Sequence, residues 1–352
     1  MKFTFMCRGK PEFGPGTGRR VAIIGAGPAG LAAAGYLACL GYDIEVYDKL
    51  PIPGGMMMFA IPPYRVPRRS VLEGVKDLEE NFGVKFRTST KVFCGQDRHD
   101  EGDNLVKERV DLKDIISAYD AVLLATGTWR SRSLRIPGED AEGVYSALEY
   151  LFEIWAHMEG FLDHEPPRRG RVAVIGGGLS AVDAAEEAHR RGADEVYMLY
   201  RRTIKQAPAG EAPIRRLIDM GIKWKELVQP TEIIVKNGRV AGLKLIKMRL
   251  GAPDASGRPR PEPIPGSEFT MEFDIVIAAI GEIATPPFEG TCEGIEADRK
   301  GRIVVDSEYR TGNPKVFAAG DVVTGPSKIG SATVTGLRAA KALHLWLLSQ
   351  KV

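Results

Sequence analysis

The sequence predicts an α/β protein made of two Rossmann-like dinucleotide-binding domains, the second inserted into the first. Two glycine loops carry this expectation, Gly25-Ala26-Gly27-Pro28-Ala29-Gly30 and Gly176-Gly177-Gly178-Leu179-Ser180-Ala181. Each follows a short apolar run and opens an Ala-rich segment, the strand-loop-helix order of a phosphate-binding turn. The third observation is the end of the chain. The residues after Gly281 hold two short apolar runs and one long helical stretch, too little for a third domain and suited to completing the first. The expected division is 1–130 with 282–352 for one domain and 131–281 for the other.

In the first domain Val21–Ile24 is a strand, Ala29–Leu40 its helix, and Asp43–Tyr47 the next strand, ending on Asp48. The loop glycines serve a tight turn, close approach of backbone to a pyrophosphate, and helix–strand packing. The helix N-terminus adds partial positive charge. Gly25, Gly27, Pro28, Ala29 and Gly30 are therefore candidate cofactor residues, and Asp48 stands where an acid takes ribose hydroxyls. Gly54-Gly55-Met56 and then Arg65 follow. Glycine admits a planar ring close to the backbone and methionine packs softly, so these four join the candidates, although a plain hydrophobic loop explains the same residues. A helix over Arg69–Phe82, a strand over Val84–Thr88 and a polar stretch from Gln96 to Lys113 come next. Ala121–Ala125 then closes on Ala125-Thr126-Gly127, a buried strand meeting a tight turn and a further candidate segment.

The second βαβ unit has a strand at Val172–Ile175, a helix at Ser180–Arg191 and a strand at Glu195–Tyr200. Gly176, Gly178 and Ala181 occupy its three glycine positions. Its second strand ends on Arg201 and Arg202 rather than an acid. Guanidiniums pair with a 2′-phosphate that a carboxylate would repel, so NADPH is expected there; a solvated arginine pair is the plain alternative. Ile218–Leu227 and Glu232–Leu250 suggest further α/β and antiparallel elements, and Gly251–Gly266 reads as an exposed hairpin loop. Asp274–Ile280 is a strand running into Gly281, another candidate. Gly301–Asp306 and Val316–Ala319 read as short strands and Ser331–Ser349 as a helix. Gly320-Asp321 places a carboxylate at a strand end, suited to a flavin's ribityl hydroxyls. Ser331, Ala332 and Thr333 set helix N-terminal amides near the flavin pyrimidine. The last helix carries Leu343, Leu345, Trp346, Leu347 and Leu348, broader than one buried stripe, so a partner or homodimer contact is expected, with core packing as the alternative.

Composition narrows the class. Of 352 residues, 44% are hydrophobic and 27% charged, as in an ordinary globular protein. A net charge of +2 is too small to imply nucleic acid or an anionic membrane. Val21–Tyr42 is uncharged, but its glycines and Pro28 make it strand-turn-helix and not a membrane span. Met1–Arg20 lacks the apolar centre of a secretory signal, so the cytoplasm is expected. The cysteines are Cys7, Cys39, Cys94 and Cys292, without a Cys-x-x-Cys pair. Four is the ligand count of one [4Fe–4S] cluster, whereas their scattered spacing suits isolated thiols. Cys7 and Cys39, at the same sheet edge, are the two placed to meet. No metal-ligand histidine spacing and no Ser/His/Asp pattern is present, and no catalytic residue is assigned.

With these residues placed, the chain resembles the FAD- and NADPH-binding part of the glutamate synthase small subunit. That group includes the flavin module of dihydropyrimidine dehydrogenase and electron-bifurcating ferredoxin–NADP oxidoreductase subunits. The resemblance rests on Ile24–Leu31, Pro53–Pro67, Gly176–Asp183, Tyr200–Arg202, Val316–Val323 and Gly336–Ala340, among other stretches. It implies a glutathione reductase-type two-dinucleotide flavoprotein, with FAD on 1–130 and 282–352 and NAD(P)H on 131–281. The implied activity moves electrons between NADPH and a partner iron–sulfur protein. Two departures stand out: a short N-terminal segment with one cysteine replaces the family's cluster domain, and Leu179-Ser180 stands where the family usually has Asn-Thr. The chain is also similar to the short heterodisulfide reductase-like flavoproteins of sulfur oxidisers. That similarity implies an FAD electron relay within a cytoplasmic sulfur-oxidation complex that uses no free nicotinamide, with or without one [4Fe–4S] cluster. A non-catalytic assembly protein with structural FAD is the third reading.

Overall fold

A computed structural model describes residues 4–5, 17–253 and 257–350. The chain forms two compact units, Met1–Arg130 with Glu282–Val352, and Ser131–Gly281.

In the first unit β1 (Arg20–Ile24) enters the glycine loop and α1 (Pro28–Cys39) leaves it, with Pro28 in the first turn, where its missing N–H costs nothing. Small residues bury α1 on most sides. β2 (Asp43–Tyr47) pairs parallel with β1, Ile23 opposite Val46. The methionine run is one helical turn, α2 (Met56–Phe59), and buries Met57, Met58 and Phe59 as core. α3 (Arg68–Phe82) ends on Gly83 in the left-handed conformation. β3 (Lys85–Arg87) joins β2, while β4 (Thr90–Phe93) and β5 (Glu108–Asp111) form a separate parallel pair. Asp111 caps α4 (Leu112–Ala118), and β6 (Ala121–Leu124) is buried throughout.

The second unit opens with β7 (Val144–Ser146) and α5 (Ala147–Met158), which starts on a capping box of Ser146 and Glu149. β8 (Arg171–Ile175), α6 (Leu179–Arg190) and β9 (Glu195–Tyr200) form its βαβ unit. α7 (Glu211–Asp219) and β10 (Lys223–Glu226) follow. Glu186 of α6 is fully buried and ion-paired to Arg190 and Arg216, the latter on α7. Burial disfavours its charge, but the two guanidiniums outweigh it and hold the carboxyl below its ordinary value. β11 (Val228–Lys236), β12 (Arg239–Pro253), β13 (Pro259–Pro263) and β14 (Phe269–Met271) form an antiparallel ribbon, with β12 pairing to the other three. The expected exposed loop at Gly251–Gly266 is thus mostly strand, because β12 runs on to Pro253 and the chain returns along it. β15 (Ile275–Ala278) completes a parallel sheet in the order β10-β9-β8-β15-β7.

The chain then returns to the first unit. Gly301–Asp306 is not a strand; only Ile303 makes an isolated bridge, to Ala297. β16 (Val316–Ala318), α8 (Asp321–Thr324) and α9 (Ile329–Ser349) follow. β16 adds to β6, giving a parallel sheet in the order β16-β6-β1-β2-β3. On α9 Leu343 and Leu347 are buried, whereas Leu345 and Leu348 are exposed. Among the described residues no helix is long and apolar enough to cross a membrane.

Cys94 and Cys292, 198 residues apart, form a disulfide inside an apolar cluster with Val92, Phe288 and Ile295. This corrects both readings of these two cysteines, as isolated thiols and as ligands of an iron–sulfur cluster, since neither sulfur is a free thiol or thiolate. Cys7 lies outside the described residues, and none of the described cysteines is free. Closing so long a loop restricts the unfolded chain strongly, by about 3–5 kcal/mol in a chain-entropy account. Cys292→Ser is therefore expected to lower the urea unfolding midpoint in non-reducing buffer, with the difference vanishing in dithiothreitol. Equal midpoints without reductant would contradict the pairing.

α9 lies directly on α1. A Cβ at Gly336 would sit 2.2 Å from the Ala29 carbonyl oxygen, whereas one at Gly330 meets nothing within 4 Å. Gly336→Ala is expected to destabilise by about 1–3 kcal/mol through overpacking. Gly330→Ala, in the same helix, is expected to be neutral or slightly stabilising. Thermal melts of both variants check the contrast.

Candidate dinucleotide-binding sites

The first loop stands at the C-terminal edge of its parallel sheet, where open α/β sheets bind ligands. Gly25 turns the chain with φ +108°, and a Cβ there would fall 2.3 Å from the Ala125 oxygen. Gly30 is equally tight, with its Cβ position 1.9 Å from the Gly25 oxygen. Gly27 is the opposite case: nothing approaches a Cβ there within 4 Å, and as N-cap of α1 it offers no side-chain cap. An open, uncapped helix start ringed by backbone is what a pyrophosphate requires. Gly54 donates to the Ala26 oxygen at 2.8 Å, and Gly55 lies against Gly27, so this turn closes directly on the loop. Met56 follows at the start of α2; Arg65 is exposed in the turn that Pro62 begins.

Asp48 is 8% exposed, with one carboxylate oxygen accepting from Ala26 N at 2.5 Å and the other from Leu50 N at 2.8 Å. Burial pushes its carboxyl up, against the pull of those amides and of Lys49. Each oxygen keeps acceptor capacity for a ribose hydroxyl. Asp48 also holds the loop, because it binds the amide of Ala26.

A cavity beside Asp48 is lined by Thr90, Val92, Thr126, Trp129 and Phe288, among others. Its polar rim is a buried ion cluster. Lys91 meets Asp97 and Asp103, Lys49 meets Asp103 at 3.2 Å and the Glu101 oxygen at 2.6 Å, and Arg130 meets Asp100 at 2.6 Å. Lys49 also stands 5.2 Å from the centre of the Trp129 ring. The sequence reading missed these groups; their only signal was the polar stretch after Cys94. Burial lowers the Lys49 ammonium, with Asp103 opposing; at Lys91 the Asp103 and Asp97 carboxylates outweigh burial and raise it.

The other first-unit candidates converge on the same place. Thr126 Oγ1 donates to the Thr285 oxygen at 2.7 Å, and Thr285 N donates to the Gly127 oxygen at 3.0 Å. Ala29, Ala125 and Ala332 pack as one small cluster, so both ends of the chain meet at the start of α1. Gly320 presses on Ala29, with its Cβ position 2.9 Å from that side chain. Asp321 accepts from Ser327 Oγ at 2.6 Å and from Ser327 N at 3.2 Å, while burial pushes its carboxyl up. Ser331 is exposed, and Thr333 Oγ1 donates back to the Ile329 oxygen at 2.9 Å. Gly281 belongs to the second unit, where its oxygen accepts from Arg132 N at 2.9 Å.

The second loop repeats the backbone logic. Gly176 approaches the Ala279 oxygen, Gly178 has nothing within 4 Å and caps α6 without a side chain, and Ala181 is buried in the core. Gly177 lies beneath the Tyr200 ring. The arginine pair is divided. Arg201 is exposed, but Arg202 is 4% exposed and its Nε donates to the Pro259 oxygen at 2.8 Å. The plain alternative of a solvated arginine pair therefore holds for Arg201 and not for Arg202, because the ribbon gives Arg202 a buried acceptor.

Comparison with known proteins agrees with this geometry. Residues 19–336 match the family described as pyridine nucleotide-disulphide oxidoreductase. The chain is 38% identical over 336 residues to the NADP(+)-dependent formate dehydrogenase subunit beta of Moorella thermoacetica, covering 94% of this chain and 44% of that protein. It is 36% identical over 341 residues to the glutamate synthase [NADPH] small chain of Escherichia coli K12, covering 94% and 69%. It is 35% identical over 357 residues to the NADPH-Fe(3+) oxidoreductase subunit beta of Geobacter sulfurreducens, covering 95% and 50%. The chain thus spans about half the length of two of these relatives and about two thirds of the third. In fold it is similar to Mycobacterium tuberculosis FprA in complex with NADPH, with a TM-score of 0.75 at 21% identity over 94% of this chain and 84% of that one. The thioredoxin reductase of T. acidophilum gives 0.65 at 24% identity, covering 94% and 100%. The fold is the expected two-dinucleotide α/β architecture. The chain belongs to the pyridine nucleotide-disulphide oxidoreductase family, as an oxidoreductase of the glutamate synthase small-chain kind.

Proposed function

We propose that the chain takes electrons from NADPH and delivers them, through FAD, to an iron–sulfur protein with which it assembles. The observation that carries this reading is the pair of open, uncapped phosphate loops with opposite strand endings, a buried acid at Asp48 and an exposed guanidinium at Arg201. The relatives' names support it, since they are NADP(H)-linked and described as subunits or small chains. The cytoplasm, where NADPH is available, is the compartment this reading implies.

On this reading Gly27 and the amides that open α1 would hold the FAD pyrophosphate, and Asp48 would accept from its ribose hydroxyls. Asp321 would accept from the ribityl hydroxyls, and the first amides of α9 would favour negative charge at the flavin ring. Arg201 pairs with the 2′-phosphate of the nicotinamide nucleotide at Gly178. When bound, the flavin would supply the redox chemistry, accepting an electron pair from reduced nicotinamide and releasing it one electron at a time to iron–sulfur centres. No side chain is assigned a proton-transfer role.

Anaerobic mixing of the FAD-loaded protein with NADPH is expected to bleach the flavin band, with NADH much less effective. Arg201→Ala is expected to raise the KM for NADPH about tenfold and leave NADH unchanged, the loss of one charge-assisted contact. A flavin that stays oxidised in NADPH but accepts electrons from dithionite would replace this reading with a relay that uses no free nicotinamide. Asp48→Asn is expected to weaken FAD binding about tenfold or more, because its amide NH2 would face a backbone N–H. Equilibrium dialysis of the apoprotein with FAD measures it.

A further inference from the structure

We infer that the antiparallel ribbon of the second unit supplies part of the 2′-phosphate site, with Arg260 as a specificity-determining residue and Arg202 as the residue that positions it. The inference rests on reading Gly176–Ala181 as an NADPH loop and extends that site to a segment outside the βαβ unit.

The starting point is the burial of Arg202. A guanidinium carries five N–H donors and stays in the protein interior only where acceptors meet it. Its Nε donates to the carbonyl of Pro259, the first residue of β13. That bond ties the end of β9 to the returning strand of the ribbon. The tie does not stand alone: Leu227 N donates to the Arg202 oxygen at 3.2 Å, and Met248 N donates to the Leu227 oxygen at 2.8 Å. β13 is further registered on β12, with Arg249 opposite Glu262.

The consequence is that exposed arginines flank both ends of this bond. Arg201 precedes Arg202, and Arg258 and Arg260 flank Pro259; Arg201, Arg258 and Arg260 are all exposed. Arg201 therefore lies one residue from Arg202, and Arg258 and Arg260 each lie one residue from its hydrogen-bond partner Pro259. The neighbouring acids are engaged. Glu262 pairs with Arg249 at 3.2 Å, and Glu226 accepts from Ile204 N at 2.8 Å and Trp224 Nε1 at 3.2 Å. A phosphate monoester carries nearly two negative charges and three acceptor oxygens, more than Arg201 alone satisfies. A second guanidinium from the ribbon completes the site, and Arg202, turned inward, sets its place.

The test uses the full-length, FAD-loaded protein and two nucleotides that differ only in the 2′-phosphate, adenosine 2′,5′-bisphosphate and 5′-AMP, titrated calorimetrically. Wild-type protein is expected to bind the bisphosphate more tightly. Arg260→Ala is expected to weaken the bisphosphate about tenfold and leave 5′-AMP unchanged, with Arg260→Lys recovering part of the loss. Arg202→Met is expected to act in the same direction by releasing the ribbon. In turnover, Arg260→Ala is expected to raise the KM for NADPH without lowering kcat. An unchanged bisphosphate affinity in Arg260→Ala, alongside a loss in Arg201→Ala, would overturn the inference and leave the NADPH loop standing. If the wild type binds neither nucleotide, the reading of the loop itself fails, and the inference with it.

Discussion

Much of the first unit depends on backbone meeting backbone where no side chain fits. The Gly25 turn comes within 2.3 Å of the Ala125 oxygen, Gly30 within 1.9 Å of the Gly25 oxygen, and Gly336 within 2.2 Å of the Ala29 oxygen, measured from the position a Cβ would take. These contacts draw β1, α1, the end of β6 and α9 to one point. They leave the first turn of α1 open, with only Gly27 at its entrance. The charge that the helix start presents is therefore directed at whatever ligand arrives. The same packing explains why the last stretch of chain belongs to the first unit, since α9 is held against α1 along its buried face.

Electrostatics separates two loops that share this backbone logic. Asp48 is tied to its own loop through Ala26 N and stays at the strand end as an acceptor. In the second unit the equivalent ending is basic, and one of its two arginines is drawn under the ribbon by the Pro259 carbonyl. One strand end thus favours neutral ribose hydroxyls and the other a phosphate dianion.

Local patterns were legible in the sequence. Both βαβ units, their strand endings and the return of the last helix follow from hydrophobic period, glycine placement and terminal charge, all set within some thirty residues. The convergence of Ala125, Ala332 and Gly320 on Ala29 was readable as an expectation because each sits at a strand or helix end. Other features were not. The ion cluster of Lys49, Lys91, Asp97, Asp100 and Asp103 and the disulfide of Cys94 with Cys292 depend on contacts between distant segments, for which spacing carries no signal. The burial of Arg202 is hidden for the same reason: its partner is a main-chain carbonyl 57 residues away, and a carbonyl leaves no trace in a sequence.

The central claim is that the two loops hold different nucleotides. A crystal structure of the FAD-loaded protein soaked with NADP+ tests it most directly. The account predicts flavin density with its pyrophosphate at Gly27 and its adenosine ribose on Asp48, and NADP+ density with its pyrophosphate at Gly178 and its 2′-phosphate within reach of Arg201. NADP+ displacing FAD at the first loop, or a second loop that stays empty at saturating NADP+, would contradict it.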